Sequence, residues 1–209
     1  MDRDNIKNII FDLGGVIVNI EPDLTANAFA ELSGTDPVDI MELHKSANFF
    51  TAYEKGLITD EVFRREVRGF LKKDIPDQVI DEAWGALLLD IPPQKIKMIS
   101  TAKEKYRTFL LSNTNHIHRN KFCGTFREMT GEDLENYFEK VYYSFQMGKR
   151  KPDEDIFLQV IEENDLIPSE TLLVDDSLPN IETARDLGIQ TLHVERNQEK
   201  IVLLTNGRN

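Results

Sequence analysis

Six polar side chains capable of chemistry stand after short apolar runs of the chain or in a loop between two of these runs. They are Asp12, Ser112, Asn113, Lys151, Asp175 and Asp176. Carboxylate oxygens are ligands of hard divalent cations, and such a cation together with a lysine can neutralise a phosphoryl group. An aspartate can also act as a nucleophile. If they meet in one crevice, these residue types predict phosphoryl-transfer chemistry.

The apolar runs have the length of buried β-strands. They cover residues 8–11, 108–111, 171–174 and 190–194, and segments of helical length lie between them at residues 92–105, 153–164 and 179–187. Strands that alternate with helices predict an α/β fold with a parallel sheet covered on both faces. Because the ligands of such sheets bind at the carboxyl ends of the strands, we expect the polar residues to meet there.

The stretch between the first two runs differs from the rest of the chain. Its apolar residues recur at helical spacing, it contains no convincing strand, and Thr59 and Pro76 are typical of helix starts. We therefore predict a small helical bundle over residues 20–90. It would be inserted into an α/β core made of residues 1–19 and 91–209.

Composition limits the class of protein and its partners. The 209 residues include 25 Lys and Arg against 37 Asp and Glu, which gives a net charge of −12, and 40% of them are hydrophobic. The apolar fraction predicts a folded core, whereas the acidic balance argues against binding to nucleic acid or to an anionic membrane. The acidic balance is compatible with a small phosphorylated metabolite as partner, and it does not predict an oligomeric state.

The single cysteine and the apolar profile predict the compartment. Cys123 has no second cysteine with which to form an internal disulfide, which favours a reducing environment. No stretch reaches the roughly 18 apolar residues of a membrane span, and the first residues show no pattern of a cleaved leader. We expect a cytoplasmic protein.

Four short motifs in chain order resemble those of the haloacid dehalogenase-like (HAD) hydrolase superfamily. They are FDLGGV at residues 11–16, LSN at 111–113, KPD at 151–153 and VDDSLPN at 174–180. The similarity covers nearly the whole chain and is strongest to small-molecule phosphatases with a helical cap after the first strand. The resemblance implies a Rossmann-like core and a Mg²⁺-dependent phosphatase of a small phosphomonoester, for example a sugar phosphate.

The same resemblance assigns roles to the site residues. It implies that Asp12 attacks phosphorus and forms an aspartyl-phosphate, and that Ser112 and Lys151 bind the transferred phosphoryl oxygens, with Asn113 beside them on the substrate. Lys151 is thereby counted with Asp12 among the catalytic residues.

The resemblance also implies a Mg²⁺ site. Its ligands would be the Asp12 carboxylate, the backbone carbonyl of Gly14, and Asp175 with or through Asp176. A different interpretation of Asp175 and Asp176 is a helix N-cap pair, because aspartate is favoured at that position. Asn180 is expected to order this acidic loop rather than to contact substrate.

Position 14 departs from the family pattern. Phosphatases of the family usually carry a second aspartate there, which protonates the leaving oxygen and later activates water, whereas this chain has Gly14. Loss of a positioned acid or base typically lowers the rate by roughly 10²–10⁴-fold. Turnover would then be slow, confined to good leaving groups, or assisted by water or by an insert residue such as His44 or Glu54. A glycine at this position would also permit a positive φ.

Other functions compete with the phosphatase. A catalytically quiet binding or regulatory protein would keep the pocket and lose turnover through Gly14, and a mutase would be another phosphoryl-transfer enzyme. A haloacid dehalogenase also lacks an acid two residues after its nucleophile, but it needs no metal and usually lacks the Asp175–Asp176 pair. His116 and His118 have no third soft ligand nearby, so we interpret them as loop or substrate-rim residues rather than as a transition-metal site.

Overall fold

The computed structural model describes residues 5–201, except for the side chains of residues 43–46. Within that range one parallel sheet has the strand order β3-β2-β1-β4-β5. Its strands are β1 (Asn8–Phe11), β2 (Arg107–Ser112), β3 (Lys140–Tyr143), β4 (Thr171–Asp175) and β5 (Gln190–His193). The prediction of an α/β fold with a parallel sheet is confirmed.

Helices connect the strands and cover the sheet. In chain order they are α1 (Pro22–Ser33), α2 (Pro37–Ser46), α3 (Asn48–Glu54), α4 (Asp60–Leu71), α5 (Asp77–Trp84), α6 (Pro93–Lys103), α7 (His116–Thr130), α8 (Ser144–Met147), α9 (Glu154–Glu163) and α10 (Leu178–Asp186). Thr59 caps α4 by accepting from the N–H of Val62, and Pro76 precedes α5, so both predicted helix starts are confirmed. None of the helices within residues 5–201 is long and apolar enough to cross a bilayer.

The central strand β1 supplies both faces of the core. Ile9 and Phe11 belong to the apolar cluster on one face, Ile10 belongs to the cluster on the other, and all three are fully buried. This alternation follows from the pleat, which sends successive side chains to opposite faces of the sheet. A strand buried on both sides is mostly apolar, which is why the run Ile9–Phe11 identified residues 8–11 as a strand from the sequence.

The strand β3 was missing from the sequence prediction, which contained four strands. Its first residue Lys140 is exposed, Val141 is half-buried, and Tyr142 and Tyr143 are buried. Because β3 lies at the edge of the sheet, it lacks the continuous apolar run of the inner strands. It pairs with β2 so that Ser112 lies opposite Tyr143.

Helices α1 to α5 form a separate apolar cluster between β1 and β2, as the helical spacing predicted. Phe63 lies at its centre, stacked on Tyr53 with ring centroids 4.1 Å apart and packed against Trp84 at 5.1 Å. The chain enters and leaves this insert through paired segments: the N–H of Asn19 donates to the carbonyl of Asp90, and Ile20 forms an antiparallel bridge with Leu88. The paired segments lie next to residues 19/20 and 90/91, where the sequence analysis predicted the boundaries of the insert.

The two histidines lie in α7 and contact the insert, so their interpretation as loop residues was wrong. His116 Nδ1 lies 2.7 Å from Asp60 Oδ2. His118 is buried, with Nε2 2.9 Å from the carbonyl oxygen of Trp84 and Nδ1 3.1 Å from the Asn115 amide. Two fixed partners assign a neutral His118 that donates from Nε2 and accepts at Nδ1.

We expect the stability of the fold to fall between about pH 6.5 and pH 4 because of His118. Burial lowers the pKa of His118 to about 4. A histidine with a lowered pKa in the folded state contributes full stability above its unfolded pKa of about 6.5, and that contribution, up to about 3 kcal/mol, is lost as the pH falls toward 4. Urea unfolding at several pH values checks this, with His118→Gln as the comparison. Equal slopes in the two proteins over this range would contradict the assignment.

Candidate active site

Asp12 is positioned by the strand register and by the first residue of the loop that follows it. It follows β1 directly, and its N–H donates to the carbonyl of Val174 at 2.9 Å, which extends the pairing with β4 by one residue. The N–H of Leu13 donates to Asp12 Oδ1 at 2.7 Å. The carboxylate thus has a fixed orientation at the carboxyl end of the sheet, with 9% of the residue exposed.

Lys151 lies between Asp12 and Asp175. Its Nζ is 2.9 Å from Asp12 Oδ1 and 2.7 Å from Asp175 Oδ2, and both Lys151 and Asp175 are buried. The loop that carries Lys151 is held by Asn113, whose amide donates to the carbonyl of Lys151 and accepts from its N–H, each at 2.8 Å. Asn113 therefore positions Lys151, a role that the sequence did not indicate.

Asp175 is satisfied by its own loop as well as by Lys151. Asn180 Nδ2 lies 3.0 and 3.1 Å from its two carboxylate oxygens, which confirms that Asn180 orders the acidic loop. The N–H of Ser177 donates to Asp175 Oδ1 at 2.8 Å, and α10 begins one residue later. Neither aspartate is the N-cap itself, since Ser177 occupies that position.

Three carboxylates converge at this end of the sheet. One oxygen each of Asp12, Asp175 and Asp176 lies within 4.8 Å of the other two. Burial raises the pKa of Asp12 to about 7; Lys151 opposes the rise, and the charges of Asp175 and Asp176 add to it. Lys151 offsets only part of this negative charge. Oxygen ligands with surplus negative charge are the donor set that Mg²⁺ requires, so these residues fit the cation that the sequence implied.

The positive φ that the sequence suggested for position 14 belongs to its neighbour. Gly15 has a φ of 77°. At Gly14 a Cβ atom would lie 3.3 Å from Ile20 Cδ1, so a side chain there requires Ile20 to move. Gly14 thus leaves room for Ile20, and the site obtains no carboxyl group from this position.

Ser112 and two insert residues complete the list of sequence candidates. Ser112 ends β2 and is buried, and its hydroxyl makes no hydrogen bond to other residues of the described chain. Glu54 is the last residue of α3, and its Oε2 lies 3.2 Å from Nη2 of Arg150. Burial raises the pKa of Glu54, and the charge of Arg150 opposes this rise. The side chain of His44 lies outside the described residues.

Ser144 connects the insert to the core, and the sequence analysis did not identify it. It is fully buried where β3 passes into α8, accepts from the N–H of Thr114 at 2.9 Å, and lies 2.7 Å from the carbonyl oxygen of Glu54. The hydroxyl therefore links the insert to the loop that follows Asn113. No run or motif marks Ser144, because it belongs to the region of the edge strand that the apolar pattern did not reveal.

The geometry can be compared with known proteins. A family model described as haloacid dehalogenase-like hydrolase matches residues 6–188. The chain is 32% identical over 205 residues to a D-ribitol-5-phosphate phosphatase of Bacteroides thetaiotaomicron, an alignment that covers 96% of this chain and 100% of that protein.

Two solved structures have a similar fold over most of their length. One is a HAD family enzyme from Bacteroides thetaiotaomicron in complex with magnesium and inorganic phosphate, with 36% identity, a TM-score of 0.86, and coverage of 93% of this chain and 96% of that one. The other is a predicted HAD-like family hydrolase from Porphyromonas gingivalis, with 35% identity, a TM-score of 0.84 and 93% of both chains covered.

Proposed function

The chain belongs to the haloacid dehalogenase-like hydrolase family, and from this membership and the geometry of its site we propose a Mg²⁺-dependent phosphatase of a small phosphorylated sugar or sugar alcohol. The observation that carries the proposal is the shared lysine: Lys151 Nζ lies within 2.9 Å of both Asp12 and Asp175. A buried cation between a nucleophile and an acidic pair is the arrangement that receives a phosphoryl group.

The residues of the site have distinct roles in the proposed reaction. Asp12 attacks phosphorus, a bond forms from its carboxylate oxygen to phosphorus, and the bond to the sugar oxygen breaks. Lys151 and the Ser112 hydroxyl bind the phosphoryl oxygens, while Asn113 holds the backbone of Lys151. Water then hydrolyses the aspartyl-phosphate, which releases inorganic phosphate and restores Asp12.

The cation site consists of Asp12, the carbonyl of Gly14, Asp175 and Asp176. Mg²⁺ bound there would stabilise the negative charge on the phosphoryl group during its transfer. Without the cation, burial raises the pKa of Asp12, and the negative charges of Asp175 and Asp176 add to the rise. The acidic cluster also distinguishes the proposal from a haloacid dehalogenase, which has no use for a cation.

We propose that residues 20–90 act as a cap over this site. The insert has its own apolar cluster and joins the core through the paired segments around Asn19 and Asp90. At its far end, Lys55 Nζ lies 2.9 Å from Asp153 Oδ2, and Arg150 pairs with Glu54. Both contacts are to the loop of Lys151, so the insert reaches the phosphate-binding residues.

A substrate panel with and without chelator tests the function. We expect hydrolysis of sugar and sugar-alcohol phosphates in the presence of Mg²⁺, loss of activity in EDTA, and recovery when Mg²⁺ is restored. Mg²⁺ should also raise the Tm without substrate, because it binds only the folded state. Asp175→Asn is the control, and a Tm rise that survives in this variant would place the cation elsewhere. Mg²⁺ binding without turnover on any phosphate ester would favour the quiet binding protein.

We propose Glu54 as the group that protonates the leaving oxygen in place of the missing acid at Gly14. Its side chain is partly buried, its pKa is raised, and it lies beside Arg150, the residue that precedes Lys151. Glu54→Gln should lower kcat/KM for an alkyl phosphate by about 10²-fold or more, because an alkoxide needs the proton. An aryl phosphate such as p-nitrophenyl phosphate should hardly respond, since its leaving group is a weak base. Equal losses on both substrates would mean that Glu54 only holds the insert in place.

A further inference from the structure

The short segment after β5 also contacts the site. Arg196 Nε donates to Asp176 Oδ2 at 3.0 Å, and the N–H of the next residue, Asn197, donates to the carbonyl of Gly15 at 2.8 Å. Two consecutive residues thus contact an acidic residue of the cation site and the loop that follows Asp12. No motif of the sequence pointed to this segment.

Asn197 also holds the residue that packs against Gly14. Its side-chain oxygen accepts from the N–H of Ile20, and its amide donates to the carbonyl of Ile20, both at 2.8 Å. The Ile20 side chain lies over Gly14, at 3.3 Å from where a Cβ would stand. Asn197 therefore ties Gly15, which directly follows Gly14, to Ile20: its N–H bonds the carbonyl of Gly15 and its side-chain amide bonds the backbone of Ile20.

The orientation of Asp176 depends on space at Gly15 as well as on Arg196. A Cβ atom at Gly15 would lie 2.5 Å from Asp176 Oδ2 and 3.1 Å from Arg196 Cγ. The side chain of Asp176 is 7% exposed, whereas that of Arg196 is 54% exposed. One carboxylate oxygen is therefore held in a narrow space between glycine and arginine, and the carboxylate cannot rotate freely.

We propose that Arg196 and Asn197 are positioning residues for the cation: Arg196 orients Asp176, and Asn197 holds the Gly14–Gly15 turn against it. This inference rests on the proposed function, since it assumes that the cation binds at Asp12, Asp175 and Asp176. The pair acts through hydrogen bonds, and the positive charge of Arg196 by itself opposes cation binding. Partners that orient metal ligands typically contribute 10–100-fold to metal affinity.

Two substitutions of Arg196 separate hydrogen bonding from charge. Gln places its side-chain nitrogen at the same distance along the chain as Arg Nε, so Arg196→Gln keeps the donor and loses the charge. Arg196→Met loses both. We expect the Mg²⁺ Kd, measured by calorimetry without substrate, to rise about 10-fold in Arg196→Met and to stay at or below the wild-type value in Arg196→Gln. Equal Kd values in the two variants would overturn the positioning role of Arg196.

Glycine is a suitable substitution for testing Asn197. The φ of Asn197 is 61°, which glycine adopts without strain, so Asn197→Gly removes the side chain and spares the backbone. We expect a Mg²⁺ Kd about 10-fold higher, a kcat at saturating Mg²⁺ close to wild type, and a Tm without Mg²⁺ that reports any general loss of folding. An unchanged Mg²⁺ Kd would overturn the role of Asn197.

Glu195→Gln is the matched control in the same segment. Its side chain is exposed and makes no hydrogen bond or ion pair within residues 5–201, and the substitution also changes the charge by one unit. We expect its Mg²⁺ Kd to equal that of wild type, and a rise as large as that of Arg196→Met would show that any substitution in this segment weakens cation binding and would overturn the proposal. A wild-type protein that binds no Mg²⁺ would instead refute the proposed function, so the two failures are distinguishable.

Discussion

Asp12→Asn should lower kcat by at least about 10³-fold while the protein remains folded. The amide of asparagine is not a nucleophile toward phosphorus, but its oxygen can still accept from the N–H of Leu13 and from Lys151, which are 2.7 and 2.9 Å from Asp12 Oδ1. The substitution also removes one of three carboxylates that repel one another. We therefore expect a Tm at or above that of wild type when no Mg²⁺ is present.

Acid quenching followed by intact-mass measurement tests the same residue directly. The wild type should carry a phosphoryl adduct during turnover, and Asp12→Asn should carry none. Asp186→Asn is a matched control, because Asp186 is an exposed aspartate of α10 and the change removes the same charge. A pure Asp12→Asn sample that kept more than a few per cent of wild-type activity would exclude Asp12 as the nucleophile.

Lys151→Met should cause the largest loss of stability among the site variants. The substitution leaves the buried carboxylates of Asp12 and Asp175 without their shared cation, and breaking a buried ion pair from one side typically costs about 3–5 kcal/mol. Removing a donor to the phosphoryl group should also lower kcat by about 10²–10³-fold. Urea unfolding without Mg²⁺ and steady-state kinetics with saturating Mg²⁺ measure the two effects separately.

Lys149→Met is the control for that experiment. Lys149 lies in the same loop, and its Nζ is 3.8 Å from Asp155 Oδ2, in a pair where both side chains are partly exposed. Pairs of this kind contribute about 0–1 kcal/mol. If Lys151→Met were as stable as Lys149→Met, the network of Asp12, Lys151 and Asp175 would not hold the site together, and the electrostatic account of it would be wrong.

The sequence by itself determined the central strands and the set of reactive groups. Residues 9–11 and 172–174 are continuous apolar runs because β1 and β4 are buried on both faces, and a polar residue directly after such a run lies at the rim of the sheet. Asp12 and Asp175 therefore followed from periodicity. The helical insert followed in the same way from its spacing.

Only the tertiary structure decided which groups hold the reactive ones in place. Asn113 binds the backbone of Lys151, and Ser144 links Glu54 to Thr114, although in each case the partners are distant in sequence. The edge strand β3 was not identified because Lys140 is exposed and Val141 is half-buried, so its pattern is mixed. Hydrogen-bond partners do not recur at a regular spacing in the sequence, so they can be identified only from the three-dimensional structure.

The same distinction applies to the glycines and to the end of β5. Two adjacent glycines after Asp12 were visible in the sequence, but only the packing shows that Gly15 has the positive φ and that Gly14 makes room for Ile20. Arg196 and Asn197 follow a strand, as many other polar residues do, so the sequence does not single them out. They reach Asp176 and Gly15 because β5 lies beside β4 in the sheet. Local propensity acts over a few residues, whereas this contact depends on how the whole sheet is assembled.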